Sequence, residues 1–396
     1  MERPNLNVKV LVLDANQRSA LAVIRSLGAI DDLMVHTCDS EQESIGGSSK
    51  FSYQYHQHPS INHAPKEFLS WIEELIINES FDILFPCTEV SSQLLLMHLH
   101  VLGSAKLPFA SLDTVMSLAN KGNLTRLAEN IKVECPRTEH FLSASDVDLS
   151  NIKEYPVVIK PNLSKLWRDN GWEDTLVKIA KNEIELKKIL EQTQWLQNDP
   201  FMLQEFITGH GAGIFAIYNQ GQPIAFFAHQ RIREKPPQGG VSVLSCSRPL
   251  DPHLLKNATK LLDSVHWHGV AMVEFRVSED GQPFLMEVNT RFWGSLQLAI
   301  DSGVNFPELL YKMTKGEQIE PIQKYNEKTR LRWFLGDLDS LYLVLKSSQF
   351  PLKEKFIRII SFFVPRIFST HHQVDRLGDL GPAIAELKHY IRDLRR

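Results

Sequence analysis

The chain is poor in cysteine, with four in 396 residues: Cys38, Cys87, Cys135 and Cys246. They stand too far apart for a Cys-x-x-Cys metal or redox pair and are too few for a disulfide scaffold, so a reducing cytoplasm is the expected home. Long apolar runs are also missing. The first, Val8 to Leu13, is cut off by Asp14 well short of a signal-peptide core, and nothing approaches the ~20 apolar residues that span a bilayer. The chain therefore reads as soluble. Charge of one sign is lacking as well: 43 Lys and Arg against 47 Asp and Glu leave a net −4, which argues against a protein built chiefly to hold nucleic acid. What remains is an ordinary globular composition, 43% hydrophobic and 23% charged, long enough for two or three compact units at roughly 100–200 residues each.

A buried strand at Val8–Leu13, a polar turn Asp14-Ala15-Asn16, a helix over Ser19–Leu27 and a strand near Met34–Thr37 predict a parallel α/β unit. Its first turn has no Gly-x-Gly-x-x-Gly, so dinucleotide binding is not expected there. A helix around Phe68–Ile77 and a strand at Ile83–Pro86 extend the alternation. After Pro108 the rhythm changes. Helical stretches lie on either side of Gly122, followed by a strand at Val157–Ile159, an aromatic and polar loop around Trp167–Trp172, a helix over Glu183–Leu196 and a strand at Phe201–Phe206. Together these suggest a small α/β lid. Two strands between Ile214 and Arg231 flank the turn Asn219–Gln222, and the glycine-bearing loop Pro236–Gly240 follows.

The most informative segment is a hairpin, Val270–Arg276 and Pro283–Arg291, with Asp280-Gly281 as a two-residue turn signal. If that turn is type I′, paired residue numbers sum to 561, and Glu274 faces Glu287. Two like charges directly opposite one another destabilise a sheet, so something cationic is expected between them. Side chains alternate along a strand, which puts Asn289 and Arg291 on the same face as Glu287. Two carboxylates and an amide oxygen suit a hard divalent ion such as Mg²⁺ that also grips substrate phosphates. The expected chemistry is phosphoryl transfer.

With these residues in view, the chain resembles the ATP-grasp superfamily, whose signature strand is similar to Met286-Glu287-Val288-Asn289-Thr290-Arg291. The likeness runs over roughly residues 111–315. The resemblance implies an α/β fold: an N-terminal parallel domain over residues 1–112, a two-lobed ATP-grasp domain over 113–325 with its lid at about 140–207, and a basic, mostly helical extension over 326–396. It implies ATP and Mg (or Mn) as cofactors. Glu274, Glu287 and Asn289 would hold the metal, and Lys121 and Lys160 the phosphates. Gln204-Glu205-Phe206-Ile207 would form the hinge that receives adenine, and Arg231, Arg233 and Arg291 would act on the acyl-phosphate. Many relatives carry an acidic ribose ligand after the hinge, where this chain reads Gly209-His210-Gly211-Ala212-Gly213.

The implied activity is an ADP-forming ligase that activates a carboxylate and joins it to an amine, so the expected partners are two small molecules, with a homodimer as the default assembly. Alternatives are a bicarbonate-phosphorylating, carboxylase-like enzyme and a nucleotide-binding regulatory protein without turnover. The tail over 346–396 has ten Lys and Arg against five Asp and Glu, and within it Phe356–Phe363 is apolar with basic punctuation. That stretch reads as a helix packed on the catalytic domain, with a membrane-surface helix as the alternative.

Overall fold

The computed structural model describes residues 8–168, 171–363 and 370–395. In chain order β1 (Val8–Val12), α1 (Arg18–Leu27), β2 (Leu33–Asp39), β3 (Gln54–Gln57), α2 (Pro65–Glu79), β4 (Ile83–Phe85) and α3 (Glu89–Met97) build a parallel sheet of order β3-β2-β1-β4. The sequence pattern misses β3 because it is a polar edge strand, Gln-Tyr-His-Gln, with no apolar face to signal it. Strand order reverses between β1 and β4, and Asp14 ties their C-terminal ends together. Its carboxylate accepts the N–H groups of Cys87 and Thr88, both at 2.9 Å. A crevice at such a reversal is where open α/β sheets receive ligands.

Helices α4 (Leu112–Ala119) and α5 (Lys121–Asn130) lead into the lid: β5 (Thr138–Phe141), β6 (Val157–Pro161), β7 (Lys165–Arg168), β8 (Gly171–Asp174), β9 (Lys178–Ala180), α6 (Glu183–Gln192), α7 (Trp195–Asn198) and β10 (Phe201–Glu205). Its sheet has the order β5-β10-β6-β9 around Ile159, Leu186, Leu196 and Phe201. The expected aromatic loop is a hairpin instead, β7 against β8, with Trp167 and Trp172 paired edge to face at 5.1 Å. Asp169 and Asn170 of that stretch lie outside the described residues.

The catalytic sheet is formed by β11 (His210–Asn219), β12 (Gln222–Lys235), β13 (Val241–Ser247), β14 (Gly269–Val277) and β15 (Pro283–Asn289), with α8 (Pro252–Ser264) before the final pair and α9 (Leu296–Asp301) and α10 (Phe306–Lys315) after it. Period-two alternation covers it on both faces. Phe215, Ile217, Val270 and Met272 pack towards α1, α9 and α10, while Ile214, Ala216, Ala271 and Val273 pack towards α4, α5 and α8.

The C-terminal extension carries β16 (Arg330–Arg332), α11 (Phe334–Lys346), α12 (Leu352–Phe363), β17 (Thr370–His372) and α13 (Gly381–Leu394). It is mostly helical, yet β16 and β17 continue the catalytic sheet, giving the order β15-β14-β11-β12-β13-β16-β17. It also returns to the first domain. Arg25 of α1, buried, donates to Asp379 Oδ2 at 2.8 Å and to the carbonyls of Gln373 and Val374 at 2.7 and 2.8 Å. Helix α12 packs on α11 and β12 through Arg358, the Ser361 carbonyl and Phe362, and Phe362 is its one buried residue.

Candidate active site

Glu274 and Glu287 are paired across β14 and β15, but not through the expected turn. The loop has three residues, Glu279 to Gly281, closed by a Ser278 N–H bond to the Gln282 carbonyl, with Gly281 at φ 87°. Pairing from that end sums to 560, as in Phe275 with Leu285, until a bulge at Met286 adds one residue and restores 561. The bulge matters chemically. Leu285 goes into the core, while Glu287 and Asn289 turn with Glu274 towards a cavity of about 600 Å³.

There the two Oε1 atoms converge on one donor, the Asn289 amide, at 3.1 Å from Glu274 and 3.4 Å from Glu287. Each second oxygen has a cation: Arg231 Nη2 donates to Glu274 Oε2 at 2.7 Å, and Lys121 Nζ lies 3.4 Å from Glu287 Oε2. Arg291 Nη2 donates to Asn289 Oδ1 at 3.1 Å. Burial pushes the Glu274 carboxyl above its ordinary value against the pull of Arg231, and the Glu287 charge adds to the push. Burial acts on Glu287 in the same sense, but Lys121, Lys160 and the Asn289 amide outweigh it and hold that carboxyl below its ordinary value. The two convergent carboxylate oxygens are donors of the kind a hard divalent ion needs, while Asn289 turns its NH₂ to them and its Oδ1 to Arg291. Among the described residues no cluster of three or more His, Cys, Asp or Glu side chains gathers for a metal.

Lys121 opens α5 behind the Asn120 cap, and its Nζ also donates to Ser164 Oγ at 2.9 Å. The neighbouring glycine is required by close approach: a Cβ on Gly122 would stand 2.7 to 2.9 Å from the Asn162 amide group. Lys160, next to last in β6 of the lid, reaches Met286 Sδ at 3.7 Å; it does not line the large cavity, and burial lowers its ammonium to about 8.

Two sets of expected residues lie away from the large cavity. Arg233 is absent from the cavity wall because a bulge at Ile232 turns it to the face opposite Arg231. Its guanidinium donates to Asp337 Oδ2 at 2.7 Å and to the Ser361 carbonyl at 2.6 Å. The hinge residues Gln204 to Ile207 also stay out of the large cavity. Gln204 is buried with Nε2 donating to Thr138 Oγ1 at 2.9 Å, and with Lys121, Met202, Leu285 and Met286 it borders a slot of only about 10 Å³. Glu205 and Phe206 border a separate cavity of about 400 Å³, and Ile207, half-buried, borders neither.

The opposite wall was invisible to the sequence reading. Arg18 opens α1, and Glu89 opens α3 behind the Thr88 capping box. Both follow the C-terminal end of a parallel strand, the one signal that could have marked them. Arg18 stacks over the Trp333 ring at 3.8 Å and donates to Gln373 Oε1 at 2.9 Å. On the catalytic sheet, His229 Nε2 lies 2.9 Å from Ser295 Oγ, and burial drives the imidazole down to about 3, so it is neutral.

The family model described as ATP-grasp in the biosynthetic pathway with Ter operon matches residues 197–335. A D-alanine--D-alanine ligase from Aquifex aeolicus is 23% identical over 229 residues, covering 52% of this chain and 72% of the relative. An L-amino acid ligase structure from Bacillus licheniformis superposes with a TM-score of 0.60 at 18% identity, covering 80% of this chain and 75% of that one. An N5-carboxyaminoimidazole synthetase from Staphylococcus aureus gives 0.64 at 11%, covering 89% of each. The chain has the ATP-grasp fold, and residues 197–335 match an ATP-grasp family model. ATP-grasp architecture thus accounts for the lid above the catalytic sheet and for a cleft whose carboxylates lie between them.

Proposed function

We propose that this ATP-grasp chain is an ADP-forming ligase that activates a small carboxylate as an acyl-phosphate and joins it to an amine. The observation that carries this is the wall of the 600 Å³ cavity, where Glu274 and Glu287 share the Asn289 amide between Arg231 and Lys121. Four cations, Lys121, Lys160, Arg231 and Arg291, surround two carboxylates, an excess of positive charge suited to a triphosphate.

Glu274, Glu287 and Asn289 would hold Mg²⁺, which when bound neutralises phosphate charge and draws electrons from the transferring phosphorus. Lys121 from α5 and Lys160 from the lid grip the phosphates. The hinge around Gln204 to Ile207 takes the adenine once the narrow slot beside Met286 opens. A substrate carboxylate oxygen attacks the γ-phosphorus as the bond to ADP breaks. The amine then adds to the acyl carbon, phosphate leaves with the C–O bond electrons, and the amine's proton is released. Arg291 and Arg231 steady the oxyanion between these steps. Closure of the lid keeps water from the acyl-phosphate. Arg18 and Glu89, facing the catalytic sheet across the cavity, belong to the acceptor side. Four free thiols fit work in a reducing compartment.

The test is a screen of amino acids and uronic acids for stimulated phosphate release with MgATP, with hydroxylamine added to trap the acyl-phosphate as a hydroxamate. Amine-dependent release together with hydroxamate supports the ligase. Release driven by bicarbonate alone, or ATP binding without any turnover, would overturn it.

A further inference from the structure

The helix α12 is inside out. Leu352, Phe356, Ile359, Ile360 and Phe363 recur every three or four residues and so share one face, and they are 85, 64, 36, 46 and 71% exposed. The side turned inward carries polar groups beside the buried Phe362. Arg358 Nη2 donates to Asp337 Oδ1 and Ser340 Oγ, both at 3.0 Å, and the Ser361 carbonyl accepts from Arg233. Those bonds to a buried carboxylate fix which side of the helix faces out, so the apolar stripe is presented rigidly.

We propose that this face seats the protein on an anionic lipid surface. Lys353, exposed, flanks the stripe beside Ile360, and Lys355 lies on the other edge beside Ile359, half-buried with its Nζ donating to the Leu345 carbonyl at 2.9 Å. The acid of the helix, Glu354, lies on the inward side, where it lines a cavity of about 440 Å³ with Arg233 and Arg358. An apolar strip with aromatic residues, bordered by lysines and free of acids, matches the boundary between acyl chains and negatively charged headgroups. A second copy fits less well. In a two-fold contact through this face, the lysine edges would meet each other with no carboxylate to answer them.

Full-length protein is mixed with vesicles of phosphatidylcholine containing about one third phosphatidylglycerol, or of phosphatidylcholine alone, and pelleted. The wild type should pellet roughly fivefold more with the anionic vesicles, and less as salt is raised. Phe356→Ser with Phe363→Ser, and separately Lys353→Glu with Lys355→Glu, should abolish the excess while circular dichroism and ATP turnover stay at wild-type levels. A wild type that remains in the supernatant with both vesicles, or variants that pellet as it does, would overturn the proposal. So would a dimer in sedimentation velocity that the phenylalanine pair converts to monomer without any vesicle binding, since the face would then belong to a second copy.

Discussion

Arg231 and Arg233 are two residues apart on one strand and serve opposite faces of the sheet. Arg231 donates to Glu274 in the cleft, while Arg233 donates to Asp337 beneath α12, because the bulge at Ile232 breaks the alternation that would have aligned them. One strand therefore feeds two charge clusters: one surrounds the candidate phosphate site, and the other fastens the C-terminal extension.

Asp337 is fully buried and accepts from three guanidinium groups, Arg233, Arg332 and Arg358. Asp337→Asn removes the anion these three share and leaves buried cations uncompensated. We expect a loss of about 3–5 kcal/mol in urea unfolding. ATP turnover per folded molecule should persist, and an unchanged midpoint would refute the role assigned to the cluster.

Glu287→Gln removes the carboxylate on which Lys121 and the Asn289 amide converge. ADP release should fall by roughly 10²–10³-fold, the scale for one removed electrostatic partner of a transition state, while the circular dichroism spectrum is retained. ADP formation at the wild-type rate would count against the whole site.

Burial brings Lys160 from 10.5 to about 8 in the free protein. Its charged form is needed to meet phosphate, so nucleotide binding should draw in a proton, and ATP affinity should drop roughly fivefold between pH 8 and 9. Stability of the free protein moves the other way. The unfolded chain holds this proton more tightly, so the penalty is full below pH 8 and is relieved as pH rises towards 10.5. Calorimetry in buffers of different ionisation enthalpy measures the uptake, and Lys160→Met should flatten both trends.

Gly122→Ala drives a methyl into the Asn162 side chain and shifts the start of α5, which carries Lys121. KM for ATP should rise roughly tenfold. Adding Asn162→Ala should restore it, and a double variant as impaired as the single one would rule out the steric explanation.

Much of the fold was legible because its signals are local. Short apolar runs mark β1, β6 and β14, and the Asp280-Gly281 signal marks the hairpin. The carboxylate pair was legible for a less direct reason. The loop is one residue longer than the Asp280-Gly281 signal suggests, the Met286 bulge adds one residue to β15, and the two offsets cancel. Bulges answer to neighbouring strands rather than to local sequence, which is why Arg233 was misplaced. Arg18 and Glu89 join the cleft only through tertiary packing. The orientation of α12 was out of reach for a similar reason: a helical wheel separates two faces but does not say which one the domain takes.

The grip of residues 373–379 on Arg25 sets an order of events during synthesis. Every side chain lining the cleft has been made by residue 295, yet the aspartate that neutralises Arg25 arrives 84 residues later, at position 379. A chain ending between the two positions would carry every cleft residue and an unmatched guanidinium in its first helix, and its native state would be correspondingly less stable.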